Sequence, residues 1–104
     1  MKQYLTPEQT AKLIELGFEK PKSSVECDLP AGDWRIGAVG IRKAYSIGEL
    51  IEMLPCRLGT GEIYIDFNGL WRVGYRNTVL HKSEFELIDA LYEMAIKLKE
   101  EGVI

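Results

Sequence analysis

The sequence predicts an α+β domain whose elements run helix, hairpin, helix, hairpin, helix (α-ββ-α-ββ-α). Its two hairpins form a four-stranded, mainly antiparallel sheet with the helices packed on one face. Three observations predict this fold. Helix-start signals precede apolar residues at helical spacing in three places; two stretches alternate apolar and polar residues on either side of glycine-containing turns; and the second hairpin–helix unit overlays the first at an offset of 37 residues. The 104 residues, 46% hydrophobic and 28% charged, suit a single domain spanning 1–104 with one apolar core.

The first helix is announced by Thr6 as N-cap, Pro7 at the first helical position and Gln9 as the partner of a capping box. Leu13, Ile14 and Leu16 give it an apolar side. Gly17 is placed as the left-handed residue that ends it, with Phe18 folding back on Leu13. After a polar link over 19–24, Val25, Cys27 and Leu29 alternate with Glu26 and Asp28, and Trp34, Ile36 and Ala38 alternate beyond the turn Pro30-Ala31-Gly32-Asp33. Matching the apolar faces pairs Leu29 with Trp34 and Cys27 with Ile36.

The second helix starts at Ser46, with Glu49 closing the box and Tyr45 placed to staple onto Leu50; Ile47, Leu50, Ile51 and Leu54 share a face, and Pro55 ends the helix. In the second hairpin, Ile63, Ile65 and Phe67 alternate on one side of Asn68-Gly69, and Trp71, Val73 and Tyr75 on the other. A two-residue Asn-Gly turn would pair Ile65 with Arg72 and mix core with solvent on both faces. A three-residue loop Phe67-Asn68-Gly69 pairs Ile65 with Trp71 and Ile63 with Val73, which keeps one face apolar. The last helix is expected from Ser83, with Glu86 as box partner. It carries Leu87, Ile88, Leu91, Ala95 and Leu98, and ends at Gly102 with Val103 reaching back to Leu98.

The overlay of the two units sets Trp34-Arg35-Ile36-Gly37 on Trp71-Arg72-Val73-Gly74, and Ser46, Glu49, Leu50 and Leu54 on Ser83, Glu86, Leu87 and Leu91. This reads as an internal ββα pseudo-repeat in which Trp34 and Trp71 are equivalent core anchors. The arginine after each tryptophan then points to the opposite face. Strand order within the sheet is left open.

The chemistry-bearing inventory is thin. The single histidine, His81, stands in a polar stretch beside Lys82; no spacing pairs a nucleophile with a base, and no metal-ligand or phosphate-loop pattern occurs. The reading is therefore non-enzymatic, without metal or cofactor. Cys27 and Cys56 read as small buried hydrophobes of a reducing cytoplasm. No run is long and apolar enough for a membrane span, and the first residues lack a signal-peptide pattern.

Charge is distributed unevenly. Residues 34–82 carry seven Lys/Arg against four Asp/Glu within a chain of net charge -3. Strand alternation gathers Arg35, Tyr64 and Arg72, with Arg76 beyond them, as candidates on an open sheet face. The ordinary reading of such residues is solvation of an exposed face; the functional one is a contact surface. The partners considered are another protein, a second copy of the chain, and, less favoured by the small basic excess, nucleic acid.

Leu5-Thr6-Pro7-Glu8-Gln9, the run from Tyr45 to Pro55, and above all the stretch from Glu86 to Ile104 resemble small uncharacterised proteins of gut Bacteroides-type bacteria, often prophage- or mobile-element-encoded. The resemblance covers the three helices and implies no catalytic residue. It implies an accessory or interaction role.

Overall fold

The computed structural model of the protein describes residues 2–28 and 39–104. Its elements are α1 (Pro7–Glu15), β1 (Ser24–Asp28), β2 (Val39–Lys43), α2 (Ile47–Met53), β3 (Arg57–Leu58), β4 (Gly61–Phe67), β5 (Trp71–Tyr75), β6 (His81–Glu84) and α3 (Leu87–Glu100). The class is α+β, with three helices and a four-stranded antiparallel sheet of order β3-β4-β5-β6. All four of its strands come from the single stretch between α2 and α3. The first hairpin forms a two-stranded sheet of its own.

Two helix starts follow their side-chain chemistry. The Thr6 hydroxyl accepts from the Gln9 N–H at 3.2 Å, and the Gln9 side chain accepts from the Thr6 N–H at 3.0 Å. Ser46 and Glu49 repeat the arrangement at α2. Two helix ends also match. Gly17 (φ +98°) and Gly102 (φ +74°) sit in the left-handed region, where glycine carries no Cβ penalty. Behind them the Phe18 N–H donates to Leu13 O at 3.1 Å and the Val103 N–H to Leu98 O at 2.9 Å, satisfying carbonyls that the helix leaves unpaired.

The start of α3 departs from expectation. Ser83 caps nothing: it lies in β6 opposite Arg72, and α3 begins at Leu87 behind Glu86, which makes no side-chain cap. The physical reason is the free edge of β5. Glu84 pairs with Trp71 and Lys82 with Val73, so ladder hydrogen bonds take the main chain that a capping box would have used. The equivalence of Ser46 and Ser83 as caps, one part of the pseudo-repeat, therefore has no structural counterpart, while Leu50 and Leu54 are buried as Leu87 and Leu91 are. Another part of the repeat, Trp34 to Gly37, lies outside the described residues.

Strand registers also shift. In the first hairpin Cys27 faces Gly40, not Ile36; the expected Leu29–Trp34 pair lies outside the described residues. In the second, the loop has three residues, but they are Asn68-Gly69-Leu70, because Phe67 pairs with Trp71. The two rings sit 5.1 Å apart, centroid to centroid, a cross-strand aromatic contact that favours keeping Phe67 in the ladder. A slip of this kind preserves parity, so Ile63, Ile65, Trp71 and Val73 still share one face.

That face meets α3. Ile88, Leu91, Met94, Ala95 and Leu98 are buried with Val73 and Tyr75, and the same core takes in Leu5 and Leu13 from the α1 region and Tyr45, Leu50 and Leu54 around α2. α3 packs across β5 and β6, with α2 against its side. Trp71 is only half-buried at the margin of this core rather than its anchor. Polar ties fix the layers. Tyr75 donates its hydroxyl to Pro55 O at 2.7 Å, and burial, with a smaller contribution from Cys56, pushes that hydroxyl's pKa up to about 12. Asp89, in the first turn of α3, accepts from Lys2 Nζ at 2.8 Å and from Gln9 Nε2 at 2.9 Å.

Substituting the two serines tests this assignment. Ser46→Ala should cost about 1 kcal/mol, the usual worth of a side-chain cap. Ser83→Ala, exposed on a strand, should stay within about 0.5 kcal/mol of the parent. Urea denaturation of both variants measures the difference, and equal losses would restore Ser83 to a helix cap.

Candidate functional site on the open sheet face

Strand parity builds this face. With Trp71, Val73 and Tyr75 turned to α3, β5 presents Arg72 and Gly74 to the other side, followed by Arg76, and β4 presents Glu62, Tyr64 and Asp66. Tyr64 stands opposite Gly74, rather than opposite Arg72 as the sequence register had it, and Asp66 stands opposite Arg72.

Glycine at 74 is a packing requirement. A Cβ there would lie 2.7 Å from the Tyr64 hydroxyl oxygen, 2.8 Å from its Cζ and 2.9 Å from Leu80 O. The phenol ring therefore lies directly over the glycine. The guanidinium carbons of Arg72 and Arg76 each sit 5.5 Å from the ring centroid, within cation–π range. Arg72 also grips Asp66 with a two-pronged fork, Nε to Oδ1 at 3.0 Å and Nη2 to Oδ2 at 2.6 Å. Toward β3, Arg57 pairs with Glu62 at 3.0 Å. Among the described residues no carboxylate is hydrogen-bonded to Arg76. Together Tyr64, Asp66, Arg72, Arg76, Asn77 and Thr78 border a shallow depression of about 440 Å³.

Of the four residues singled out from sequence, the structure brings Tyr64, Arg72 and Arg76 together; Arg35 lies outside the described residues. Sequence alternation also puts Asp66 on this face, but its register sets Asp66 opposite Leu70, and so misses it as the fork's acceptor; it misses Gly74 as the floor as well. The signal for the floor was present in Arg72-Val73-Gly74-Tyr75-Arg76, where a glycine inside a strand marks a close approach.

The fork fixes the charge of both its members. The hydrogen bonds from Arg72 hold the Asp66 carboxyl below its usual range, and the same contact raises Arg72. Both shifts move titration away from neutrality, the opposite of what general acid–base chemistry needs. His81 is exposed, its ring nitrogen 3.2 Å from Val79 O. Cys56 is exposed as well, which corrects its reading as a buried hydrophobe: it follows Pro55 in the turn between α2 and β3. Among the described residues no cluster of His, Cys, Asp and Glu could hold a metal ion, and no helix is long and apolar enough to cross a membrane.

A second cleft, of about 280 Å³, lies beside α2 and includes Glu19, Lys20, Tyr45, Glu49 and Met53. Its central carboxylate is already committed. Glu49 accepts from the backbone N–H groups of Lys22 (2.9 Å), Ser23 and Ser46 (each 3.3 Å), and from the Ser23 hydroxyl. Partial burial pushes its pKa up, but these donors outweigh burial and leave it lowered. Glu49 thus joins the segment entering β1 to the start of α2, a structural role.

No family model matches the chain, and no curated protein or solved structure matches it at a significant level.

Two measurements check these geometries. Gly74→Ala should cost about 1–3 kcal/mol through overpacking, and adding Tyr64→Ala should return part of that loss, while the contact with Leu80 O keeps the rest; a Gly74→Ala melt like the parent's would refute the close approach. Glu49, with its folded pKa depressed, contributes stability that is present above its ordinary value near 4.5 and lost as pH falls through the lowered folded value. Glu49→Gln should be less stable than the parent at neutral pH and lose less on acidification below about pH 5. Parallel stability–pH curves for the two proteins would contradict this role.

Proposed function

We propose that the protein is a small, non-enzymatic interaction module of the cytoplasm whose open sheet face binds another protein. The observation that carries this reading is the tyrosine fixed over Gly74 between two guanidinium groups. Tyrosine and arginine are the side chains that most often dominate protein contacts. Here both are held in place before binding, which reduces the ordering cost of association. Asp66 and Glu62 offset two of the arginines on this face, which favours a mixed-charge protein surface over a continuous run of phosphates. The partner is a host or phage protein, in keeping with the helices' resemblance to prophage-associated accessory proteins. A second copy of the chain is the other protein this face would accept.

Affinity capture with the wild type and with Arg76→Glu and Tyr64→Ala variants tests the reading. Both substitutions lie on the exposed side of the sheet, so the variants should fold. At least one retained protein should fall by roughly tenfold or more with each variant, equivalent to about 1.4 kcal/mol. An unchanged retained set would overturn the face as the contact surface. Light scattering on the same samples reports a second copy. Saturable binding to mixed-sequence oligonucleotides that weakens steeply with salt would instead assign the face to nucleic acid.

A further inference from the structure

The two edges of the main sheet are finished differently. At one edge, β6 alternates exposed His81 and Ser83 with Lys82 and Glu84, the polar finish that discourages strand pairing. At the other, β3 is two residues long and covers only Gly61 and Glu62 of β4. The hydrogen bonds fix which way the rest of β4 faces. The Arg76 N–H donates to Glu62 O, and the Ile63 N–H, on the opposite side, donates to Cys56 O, both at 3.0 Å. Alternation then turns the main-chain groups of Tyr64 and Asp66 to β5 and those of Ile65 and Phe67 outward, past the end of β3. Among the described residues no strand lies against that stretch. Its side chains are apolar and uncovered, because α3 packs over β5 and β6: Ile65 is 38% exposed, Phe67 60% and neighbouring Leu70 38%.

We propose that the outer edge of β4 from Tyr64 to Phe67 is a strand-addition site for an extended segment of another protein. Outward main-chain donors and acceptors in ladder geometry are satisfied by an extended backbone, the chemistry of β-augmentation. The exposed shelf of Ile65 and Phe67 selects apolar side chains at alternate positions of the incoming strand. The positions between them emerge on the open face beside Tyr64 and Asp66, where a basic residue meets the carboxylate. A second copy fits less well. Cys56 and β3 block the edge at Ile63 and before, and the twofold antiparallel register that pairs Ile65 with Phe67 of the copy without reaching Cys56 sets Asp66 opposite its own counterpart. Like charges directly opposed disfavour that pairing.

The site borders the contact surface proposed above at Tyr64 and Asp66 but binds through the outward main chain of β4, and one experiment separates the two. The probe is a fluorescein-labelled, end-blocked heptapeptide of alternating Val and Lys, compared with a twin N-methylated at alternate amides so that one edge cannot donate. Fluorescence anisotropy with the full-length protein should show saturable binding of the first peptide and roughly tenfold weaker binding of the twin. Ile65→Pro removes an outward N–H without breaking the ladder to β5, and should cause a similar loss, whereas Arg76→Glu, which takes no main-chain group from that edge, should not weaken binding of the lysine-bearing peptide. The N-methylated twin keeps the test decisive should Ile65→Pro fail to fold. Absent binding, equal binding of the two peptides, or a doubled mass in light scattering that Ile65→Pro abolishes would each overturn the assignment, the last by placing a second copy on the edge.

Discussion

The burial of one face of α3 against Val73 and Tyr75 is the constraint from which the rest of the main sheet follows. A helix carrying Ile88, Leu91, Met94, Ala95 and Leu98 on one side gains most of its stability from covering apolar surface, not from propensity. Removing any of its large side chains would leave a cavity costing about 2–5 kcal/mol. Once β5 gives α3 its odd-numbered residues, strand geometry allows no choice for the even-numbered ones. Arg72 and Gly74 face away from the core, and β4 follows through its pairing. The open face is thus the reverse side of the core, composed by the same alternation.

What was legible in the sequence divides along the range of the interactions involved. Thr6 with Gln9, Ser46 with Glu49, and the glycine endings at Gly17 and Gly102 are decided within a few residues, and each forms as its local chemistry dictates. Ser83 carries the same local signal as Ser46, yet a strand partner reaches it first. Its neighbours Lys82 and Glu84 find Val73 and Trp71 across the sheet, and tertiary pairing overrides the cap. The hairpin register shows a similar limit. Face parity was legible because a one-residue slip exposes the core, but a two-residue step along the pair total preserves parity. The choice then fell to the Phe67–Trp71 ring contact, which alternation alone does not contain. β3 had no pattern to announce it: Arg57 and Leu58 are held by Glu62 and Gly61 across a tight turn.

The candidate site was legible in the same proportion. Alternation was enough to gather Tyr64, Arg72 and Arg76 on one face. It could not supply the close packing that organises them, because that depends on Tyr64 standing opposite Gly74. Gly61 makes a related point at the other end of β4: a Cβ there would lie 1.6 Å from Arg76 O, so the β5–β6 turn, where Arg76 begins, is seated on a glycine as well. Two glycines without strand propensity thereby set the height and spacing of the arginine–tyrosine–arginine stack, and a β-rich pattern search passes over both.

The central claim is that this stack exists because the core fixes the parity and Gly74 provides the floor. The most direct measurement is the NMR chemical shift of the Arg72 and Arg76 side-chain protons in the wild type and in Tyr64→Leu. Ring currents should displace the δ-methylene protons of both arginines upfield in the wild type, and both displacements should collapse in the variant while the resonances of Val73 and Leu91 stay in place. Arginine shifts at their unstructured positions in the wild type, or displacements that survive the loss of the ring, would contradict the account.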